Sequence, residues 1–216
     1  MMMGLSIFVF VAGLSLAQQG ELVDGKRPVF TADVNEPMPA TFGVTTVSNS
    51  GFQGKIYFLP EFTLSLPNFK KLKSVGTLYT DYLNIPPRDF MEGFPGITNR
   101  FEWFAIDYTG RFWIEKPGKY QFALVSDDGS ILYIDQKRII DNDGHHPAQV
   151  QYGSAKLAEG AHDIRISYFQ GPRTALALIF AVQRPGDKDY KIFDMRRFRP
   201  PSTMENLPAP DSELPK

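Results

Sequence analysis

Residues 118–134, GKYQFALVSDDGSILYI, contain two apolar runs joined by SDDG at 126–129. In the first run, apolar side chains recur at every second position, at Tyr120, Phe122 and Leu124. A period of two places these side chains on one face of a β-strand, because successive residues of a strand point to opposite faces. The stretch therefore predicts two half-buried strands with a turn between them.

The same period continues in HDIRISYF at 162–169, whereas ALALIFAV at 175–182 is apolar on both faces and predicts a central strand. Short apolar runs alternate with Gly, Asn, Asp and Pro across residues 48–184, and no segment has the period of an amphipathic helix. We therefore predict an all-β fold, an antiparallel two-sheet β-sandwich. Its predicted core contains Phe122, Leu124, Leu132, Ile134, Ile164, Ile166, Leu178 and Phe180.

Composition excludes several classes of protein. The 216 residues are 43% hydrophobic, which is enough for one domain with a real core. The 23 basic and 24 acidic residues give a net charge of -1, so no global field attracts nucleic acid or an anionic membrane. The absence of cysteine excludes disulfides, thiolate catalysis and cysteine-based metal sites.

Both ends of the chain differ from the predicted domain. The apolar run within residues 1–17 ends in Ser15-Leu16-Ala17, which predicts a signal peptide cleaved so that the mature chain starts at Gln18. An uncleaved anchor is the less favoured alternative, because about 12 apolar residues do not span a bilayer. Residues 18–47 are predicted as an extended lead-in and residues 185–216 as a polar, Pro-rich tail. We expect an exported protein, periplasmic, cell-surface or secreted, with no stable membrane span after cleavage.

The turn sequence has two interpretations. Asp128-Gly129 between two strands is a strong signal for a two-residue hairpin, which needs no ligand. However, Asp127 and Asp128 repel each other when both are ionised, so a positive partner is expected nearby. A divalent cation or an arginine would serve, and Arg173 is the candidate arginine. Both interpretations stay open at this point.

The run GKYQFALVSDDGSILYIDQKRIIDNDGHH at 118–146, followed by LAEGAHDIRISYFQG at 157–171, resembles the protective-antigen-type (PA-fourteen) domain. GFQGKIYF at 51–58 is similar to the opening strand of that family. The resemblance covers about residues 51–183. It implies a sandwich of the jelly-roll-type barrel kind, found as a module on secreted glycosidases, adhesins and toxins.

The resemblance also implies a site. Several family members bind sugars through a calcium ion at the Asp-Asp turn, where the peptide between the aspartates is cis. This implies Asp127 and Asp128 as metal ligands and calcium as the cofactor. Such members usually supply an Asn or similar ligand before the last strand, where this chain has QGPRTA at 170–175. Gln170 and Arg173 are therefore the remaining predicted ligand-binding residues.

Two further departures concern turns. The glycine usual after Ile-Asp in the family is Gln136 here, which implies either a turn without positive φ or some strain. DNDGHH at 141–146 begins like an EF-hand, but His146 and Tyr152 occupy the positions that need Gly and Glu, so a polar loop with Asx-turns is predicted. A zinc site formed by the three histidines, His145, His146 and His162, is a less favoured alternative to hydrogen bonding.

Aromatic residues are densest between residues 93 and 118, at Phe101, Trp103, Phe104, Tyr108, Phe112 and Trp113. They suit either a sugar-stacking platform or core packing, and core packing is favoured. Alternation predicts that Phe101 and Trp103 are buried together, with Phe104 on the opposite face.

The predicted function is a secreted, non-catalytic carbohydrate-binding module that depends on calcium at Asp127 and Asp128. Its expected partner is a glycan or glycoconjugate, with no nucleic acid. The alternative is a structural or protein-docking module of the cell envelope, without a metal site, whose partner is an envelope protein. An enzyme is the least favoured reading, because no nucleophile motif, phosphate loop or zinc-hydrolase pair is present.

Overall fold

The computed structural model describes residues 51–97, 100, 102–172 and 175–201, which form eleven β-strands and three 3-10 helices. The strands are β1 (Phe52–Phe58), β2 (Gly76–Thr80), β3 (Asn84–Asp89), β4 (Phe104–Ile114), β5 (Gly118–Asp127), β6 (Ser130–Ile134), β7 (Lys137–Asn142), β8 (Gln149–Leu157), β9 (Gly160–Gln170), β10 (Ala175–Gln183) and β11 (Lys191–Ile192). The 3-10 helices are Phe69–Lys71, Phe90–Glu92 and Met195–Arg197. The predicted signal peptide and lead-in lie outside the described residues.

The strands pair into two antiparallel sheets. One sheet has the order β2-β1-β4-β9-β6-β7, and the other has the order β11-β10-β5-β8, with β3 also paired to β10. β3 and β11 share one edge of β10, so this strand is flanked on both sides, as its two apolar faces predicted. The predicted all-β sandwich is confirmed. The finer description as a barrel is wrong, because the two sheets do not close on each other.

The core lies between the sheets and is built from alternating strand residues. All eight predicted core residues are buried, and none is more than 2% exposed. Burial of each such side chain stabilises the fold by about 1.5–3 kcal/mol. Phe122 of β5 and Phe180 of β10 stack across the sheet with ring centroids 5.9 Å apart.

The sandwich continues past residue 184, where the sequence predicted the start of a polar tail. β11 pairs with β10, and Phe193 and Phe198 are buried in the core with their rings stacked 4.5 Å apart. The Trp113 N–H donates to the Phe198 carbonyl at 2.7 Å. The predicted boundary is therefore wrong, because two aromatic anchors hold a segment whose composition is polar. Residues 202–216 lie outside the described residues.

Most of the dense aromatic region packs into the core. Phe104, Tyr108 and Phe112 are at most 2% exposed. Trp103 is also buried but on the other face of the six-stranded sheet, in a second cluster with Leu59, Ala105 and Phe169. Core packing and the opposite faces of Trp103 and Phe104 are thus confirmed, whereas Phe101 lies outside the described residues.

Residues 59–75 connect β1 to β2 and cover this second cluster; we call them the cover segment. Leu66, Phe69 and Leu72 of the cover segment pack against the cluster. The Leu66 N–H donates to the Asp143 carboxylate at 2.9 Å, which ties the segment to the loop between β7 and β8. The cover segment is therefore fixed to one end of the sandwich.

Candidate functional site

The SDDG turn connects the two sheets. β5 pairs with β8 and β10, whereas β6 pairs with β7 and β9, so the strands on either side of the turn do not pair with each other. The hairpin interpretation of Asp128-Gly129 is therefore wrong. The peptide bond between Asp127 and Asp128 is cis, as the family resemblance implied.

Both carboxylates are buried. Asp127 is 4% exposed and Asp128 is 5% exposed. Burial, followed by the neighbouring charge of Asp128, raises the pKa of Asp127 to about 7, against the opposing effect of the Ala148 N–H. Burial also raises the pKa of Asp128, although the N–H of Gly171 and the imidazole of His145 act in the opposite direction. The pair therefore holds its negative charge less readily than exposed aspartates do.

Nitrogen groups from two loops surround Asp128. The Gly171 N–H donates to Oδ2 at 2.7 Å, and the His146 N–H donates to Oδ1 at 3.3 Å. The His145 imidazole lies with Nε2 3.5 Å from Oδ1, which is an ion pair only when that ring is protonated. These contacts fix the direction of one carboxylate, and part of the expected positive partner comes from backbone dipoles.

Gln170 is brought to the turn as predicted, but its amide group is already committed. Its Oε1 accepts from the Tyr168 hydroxyl at 2.6 Å. Its Nε2 donates to the Ala175 carbonyl at 3.1 Å and to Asp128 Oδ2 at 3.4 Å. In this arrangement Gln170 positions Asp128, and its side-chain oxygen is not offered to an ion. Arg173, the other predicted ligand-binding residue, lies outside the described residues.

A buried polar network supports the base of the turn. The hydroxyls of Ser126 and Ser130 are 2.7 Å apart, and the Asn142 amide donates to Ser126 at 2.9 Å. Gln149 donates to the Asn142 side-chain oxygen at 3.0 Å. The Tyr168 hydroxyl also lies 2.7 Å from the Asp127 carbonyl oxygen, so its single hydrogen is shared between this oxygen and Gln170 Oε1. The network joins residues of both sheets, so it holds the turn in one position relative to the core.

Two glycines allow the loops to approach the turn. A side chain at Gly129 would meet the ring of Phe169, and it would come within 2.8 Å of Asp143 Oδ1. A side chain at Gly171 would meet the imidazole of His145, and it would come within 3.0 Å of Asp128 Oδ2. The close packing around both aspartates therefore depends on glycine at these positions.

The three histidines do not form a zinc site. His162 lies on β9, where Nδ1 contacts Asp135 Oδ2 at 2.6 Å and Nε2 contacts the Ala158 carbonyl at 3.0 Å. The ring nitrogens of His146 contact the carbonyls of Pro147 and Asn142. Within the part of the chain that the structure describes, no group of three or more His, Asp or Glu side chains is arranged to hold a metal. The predicted hydrogen bonding is thus confirmed for the rings of His146 and His162, whereas the ring of His145 faces Asp128.

The loop after β7 also contains the predicted Asx-turn. The Asp143 N–H donates to Asp141 Oδ1 at 3.2 Å, and Asp143 in turn accepts from the Gly144 N–H at 2.8 Å. This geometry lets the chain bend back over the SDDG turn, so that His145 and His146 reach Asp128. The EF-hand likeness is thus only local.

A row of three rings, which we call the ring wall, lies beside the turn and consists of Phe62, Trp103 and His145. Trp103 has a left-handed backbone with φ 58, and its N–H donates to the Gly171 carbonyl at 3.2 Å. Its ring centroid is 6.3 Å from that of His145 and 6.0 Å from that of Phe62. The ring wall therefore runs from the cover segment to the imidazole beside Asp128.

Sequence reasoning missed most of the groups that surround the aspartates. The important contacts of His146 and Gly171 are made by their backbone N–H groups, which no residue pattern reveals. Phe62 lies outside the segment that was singled out for aromatic content. The usable signal is the pair of histidines directly after Gly144, for which the sequence predicts hydrogen bonding and not a contact with Asp128.

The fold and the site define an all-β sandwich module with a buried acidic pair at one end, where the chain passes between the sheets. A sequence model of the PA14 domain matches residues 49–194. The chain therefore belongs to the PA14 domain family, the family that the sequence resembled. A search among curated proteins returns no match.

Solved structures show the same fold at low identity. An anti-sigma factor domain-containing protein is 20% identical with a TM-score of 0.56, over 77% of this chain and 51% of that chain. A PA14 sugar-binding domain from an RTX adhesin is 19% identical with a TM-score of 0.56, over 68% of this chain and 96% of that chain. The PA14 domain of the MpAFP antifreeze protein is 14% identical with a TM-score of 0.57, over 68% of this chain and 88% of that chain. The chain thus spans about half the length of the first of these proteins. No helix in the described ranges is long and apolar enough to cross a membrane.

Proposed function

We propose that this chain is a non-catalytic, calcium-dependent carbohydrate-binding module of an exported protein, located in the periplasm, on the cell surface or outside the cell. The observation that carries the proposal is the adjacent pair Asp127 and Asp128, buried together at a turn between the sheets. Burial of two neighbouring carboxylates costs free energy unless a positive partner accompanies them. Membership of the PA14 family, with a sugar-binding domain among its structural neighbours, supports the same function.

The donor set suits a hard cation. Carboxylate oxygens are the ligands that calcium prefers, and six to eight oxygens are needed in all. Asp127 and Asp128 would hold the ion, and the Gly171 N–H and the Gln170 amide would keep the Asp128 carboxylate oriented. A bound calcium ion supplies open positions for the hydroxyls of a sugar. Because Gln170 uses its own oxygen elsewhere, the sugar and water complete the shell in this proposal.

Calorimetry and thermal unfolding test the proposal together. Calcium should bind the wild type and raise its melting temperature, because a ligand of the folded state stabilises that state. Asp128→Asn should abolish both effects, and chelator should abolish glycan binding. Asp189→Asn is the matched control. It removes the same charge as Asp128→Asn, but at an exposed position between β10 and β11. A calcium response that survives Asp128→Asn would refute the metal site.

A second candidate is a protein-docking module of the envelope in which the turn is a closed structural unit. The observation that favours it is His145 at 3.5 Å from Asp128, together with the N–H donors that the carboxylate already has. In that case calcium uptake should be absent at millimolar concentration. His145→Gln should then destabilise the fold as much as Asp128→Asn does. The corresponding role of Arg173 stays a prediction, because that residue lies outside the described ranges.

The absence of catalysis is part of the proposal. The sequence contains no nucleophile motif, phosphate loop or zinc-hydrolase pair. Incubation with chromogenic glycosides should therefore yield no turnover. Sustained hydrolysis that copurifies with the chain, and that Asp127→Asn removes, would contradict a purely binding function.

A further inference from the structure

Phe62, in the cover segment, presents its ring to solvent. It is 79% exposed, although large apolar side chains are usually buried. Its backbone has φ 65, a left-handed conformation that a bulky residue adopts only at a cost in free energy. The exposed ring therefore contributes little to folding, while its backbone opposes folding. An exposed apolar side chain on an unfavourable backbone conformation indicates a role in binding.

The ring of Phe62 is continuous with the candidate site. It packs on Trp103 with centroids 6.0 Å apart and planes at 50°. Trp103 in turn lies 6.3 Å from His145, whose Nε2 is 3.5 Å from Asp128. Two rings thus separate Phe62 from the acidic pair, so a molecule that touches both must be longer than a single ring.

The cover segment is held in place on both sides of Phe62. Before it, the Leu59 N–H donates to the Trp103 carbonyl at 2.7 Å, and Arg100 Nη2 donates to the Leu59 carbonyl at 2.9 Å. After it, the Leu66 N–H donates to Asp143 at 2.9 Å. Both anchor points belong to loops that also contact the site. A surface fixed in this way loses little freedom on binding, which favours recognition.

We propose that Phe62 forms a second sugar subsite and that the ligand is an oligosaccharide of at least two units. One unit lies at Asp127 and Asp128, and the apolar C–H face of a further unit of the same oligosaccharide stacks on the Phe62 ring. The proposal rests on the proposed function, since it assumes a sugar at the acidic pair. Sugars suit such a ring because their C–H edges carry partial positive charge and aromatic faces are negative.

The test compares a panel of immobilised di- and trisaccharides with the methyl glycosides of their component sugars, in buffer that contains calcium. Phe62→Ala should weaken binding of the best di- or trisaccharide about tenfold and leave binding of the methyl glycosides of its component sugars unchanged. Phe62→Trp should retain binding of that oligosaccharide. Calcium uptake and melting temperature should match the wild type, because both variants replace an exposed ring and keep a non-glycine backbone. Leu64→Ala, 67% exposed in the same segment, is the matched control and should change nothing.

The outcomes separate this inference from the function on which it rests. Equal loss of methyl glycoside and oligosaccharide binding in Phe62→Ala, or no loss of either, overturns the second subsite while sugar binding stands. An equal loss in Leu64→Ala also overturns it, because the surface is then a general apolar face for a protein partner. If the wild type binds no saccharide of the panel, the proposed function fails, and the second subsite fails with it.

Discussion

A turn precedes β6 and another follows it, and each contains aspartate. The aspartates of the two turns differ in burial and in the groups that they contact. At its start, Asp127 and Asp128 are at most 5% exposed, in a turn that leads from one sheet to the other. At its end, Asp135 and Gln136 form a true hairpin to β7 with φ 48 and 66. The Asp135 side chain is 51% exposed and lies 2.6 Å from His162.

The difference shows that local turn preference and strand pairing are separate matters. The Asp-Gly sequence, a strong hairpin signal, stands where no hairpin forms, because β5 and β6 find their partners in different sheets. The real hairpin has two left-handed residues and no glycine, so of the two outcomes expected for Gln136, strain is the one observed. An exposed aspartate with a histidine partner needs no further explanation, whereas a buried pair does.

The largest expected effect concerns the strand that joins the two turns. Leu132→Ala should cost about 2–5 kcal/mol of unfolding free energy, because Leu132 is fully buried and pairs with Ile140 and Ile166. Tyr133→Ala, on the half-buried opposite face, should cost about 1 kcal/mol or less through its contact with Arg165. Urea unfolding of both variants measures the difference. Equal costs would mean that β6 does not anchor the turns through its core face.

Removing the glycine of the first turn and adding a glycine to the second turn should change the stability in opposite directions. Gly129→Ala should destabilise the fold by about 1–3 kcal/mol, since the added methyl group meets Phe169 and Asp143. Gln136→Gly should stabilise it by about 1 kcal/mol, because glycine adopts φ 66 without steric cost. Thermal unfolding of both variants checks the signs. Stabilisation by Gly129→Ala would show that the acidic turn is loosely packed.

The pH dependence of stability should identify the buried pair. The folded-state pKa of Asp127 is raised to about 7 from 3.8, so the folded state binds a proton more tightly than the unfolded state does. Without divalent cations, stability should therefore fall as the pH rises through this window, and the melting temperature should be lower by a few degrees at pH 8 than at pH 5. If calcium occupies the site, its affinity should rise over the same range. Asp127→Asn should reduce this slope, although Asp128 and His162 still contribute to it, and an unchanged slope would contradict the assignment.

The smallest effect belongs to the hairpin. Burial acts to lower the pKa of His162, but the hydrogen bond to Asp135 and nearby charges outweigh it, and the pKa is raised above 6.5. The contribution of this pair is then fully present below pH 6.5 and is lost as the pH rises through the folded-state pKa. It should be worth less than about 1 kcal/mol, because Asp135 is exposed. Thermal unfolding as a function of pH measures this loss of stability. His162→Gln should remove the loss equally in the presence and absence of calcium. An effect of His162→Gln that depends on calcium would mean that the two turns are energetically coupled.

Much of the fold was predictable because half-buried strands leave a period of two in the sequence. That period identified the eight core residues, and the apolar run at 175–182 identified β10. β11 was missed because only Lys191 and Ile192 form ladder pairs, and its polar flanks conceal the anchors Phe193 and Phe198. The sequence did not predict that β5 and β6 belong to different sheets, because their pairing partners β8, β9 and β10 lie far along the chain.

The site was predictable only at its charged centre. Asp127 and Asp128 stand out because adjacent ionised carboxylates repel each other, and the family resemblance implied that they bind a metal. The hydrogen-bond donors around Asp128 were not predictable. They are the backbone N–H groups of Gly171 and His146, and almost every residue type has a backbone N–H group. Phe62 was also missed, because its exposure follows from the path of residues 59–75 and not from any pattern around it.

The position of the acidic pair has a consequence for fluctuations of the whole sandwich. Four connections cross between the sheets at this end, namely β3 to β4, β5 to β6, β7 to β8 and β9 to β10. Three of them contribute groups that meet at Asp128. If the sheets part at this end, those connections must stretch together and the contacts to Asp128 must break at once. Opening of this end should therefore be slow and cooperative, with amide hydrogens that exchange as one unit, and any molecule held by the aspartates would slow it further.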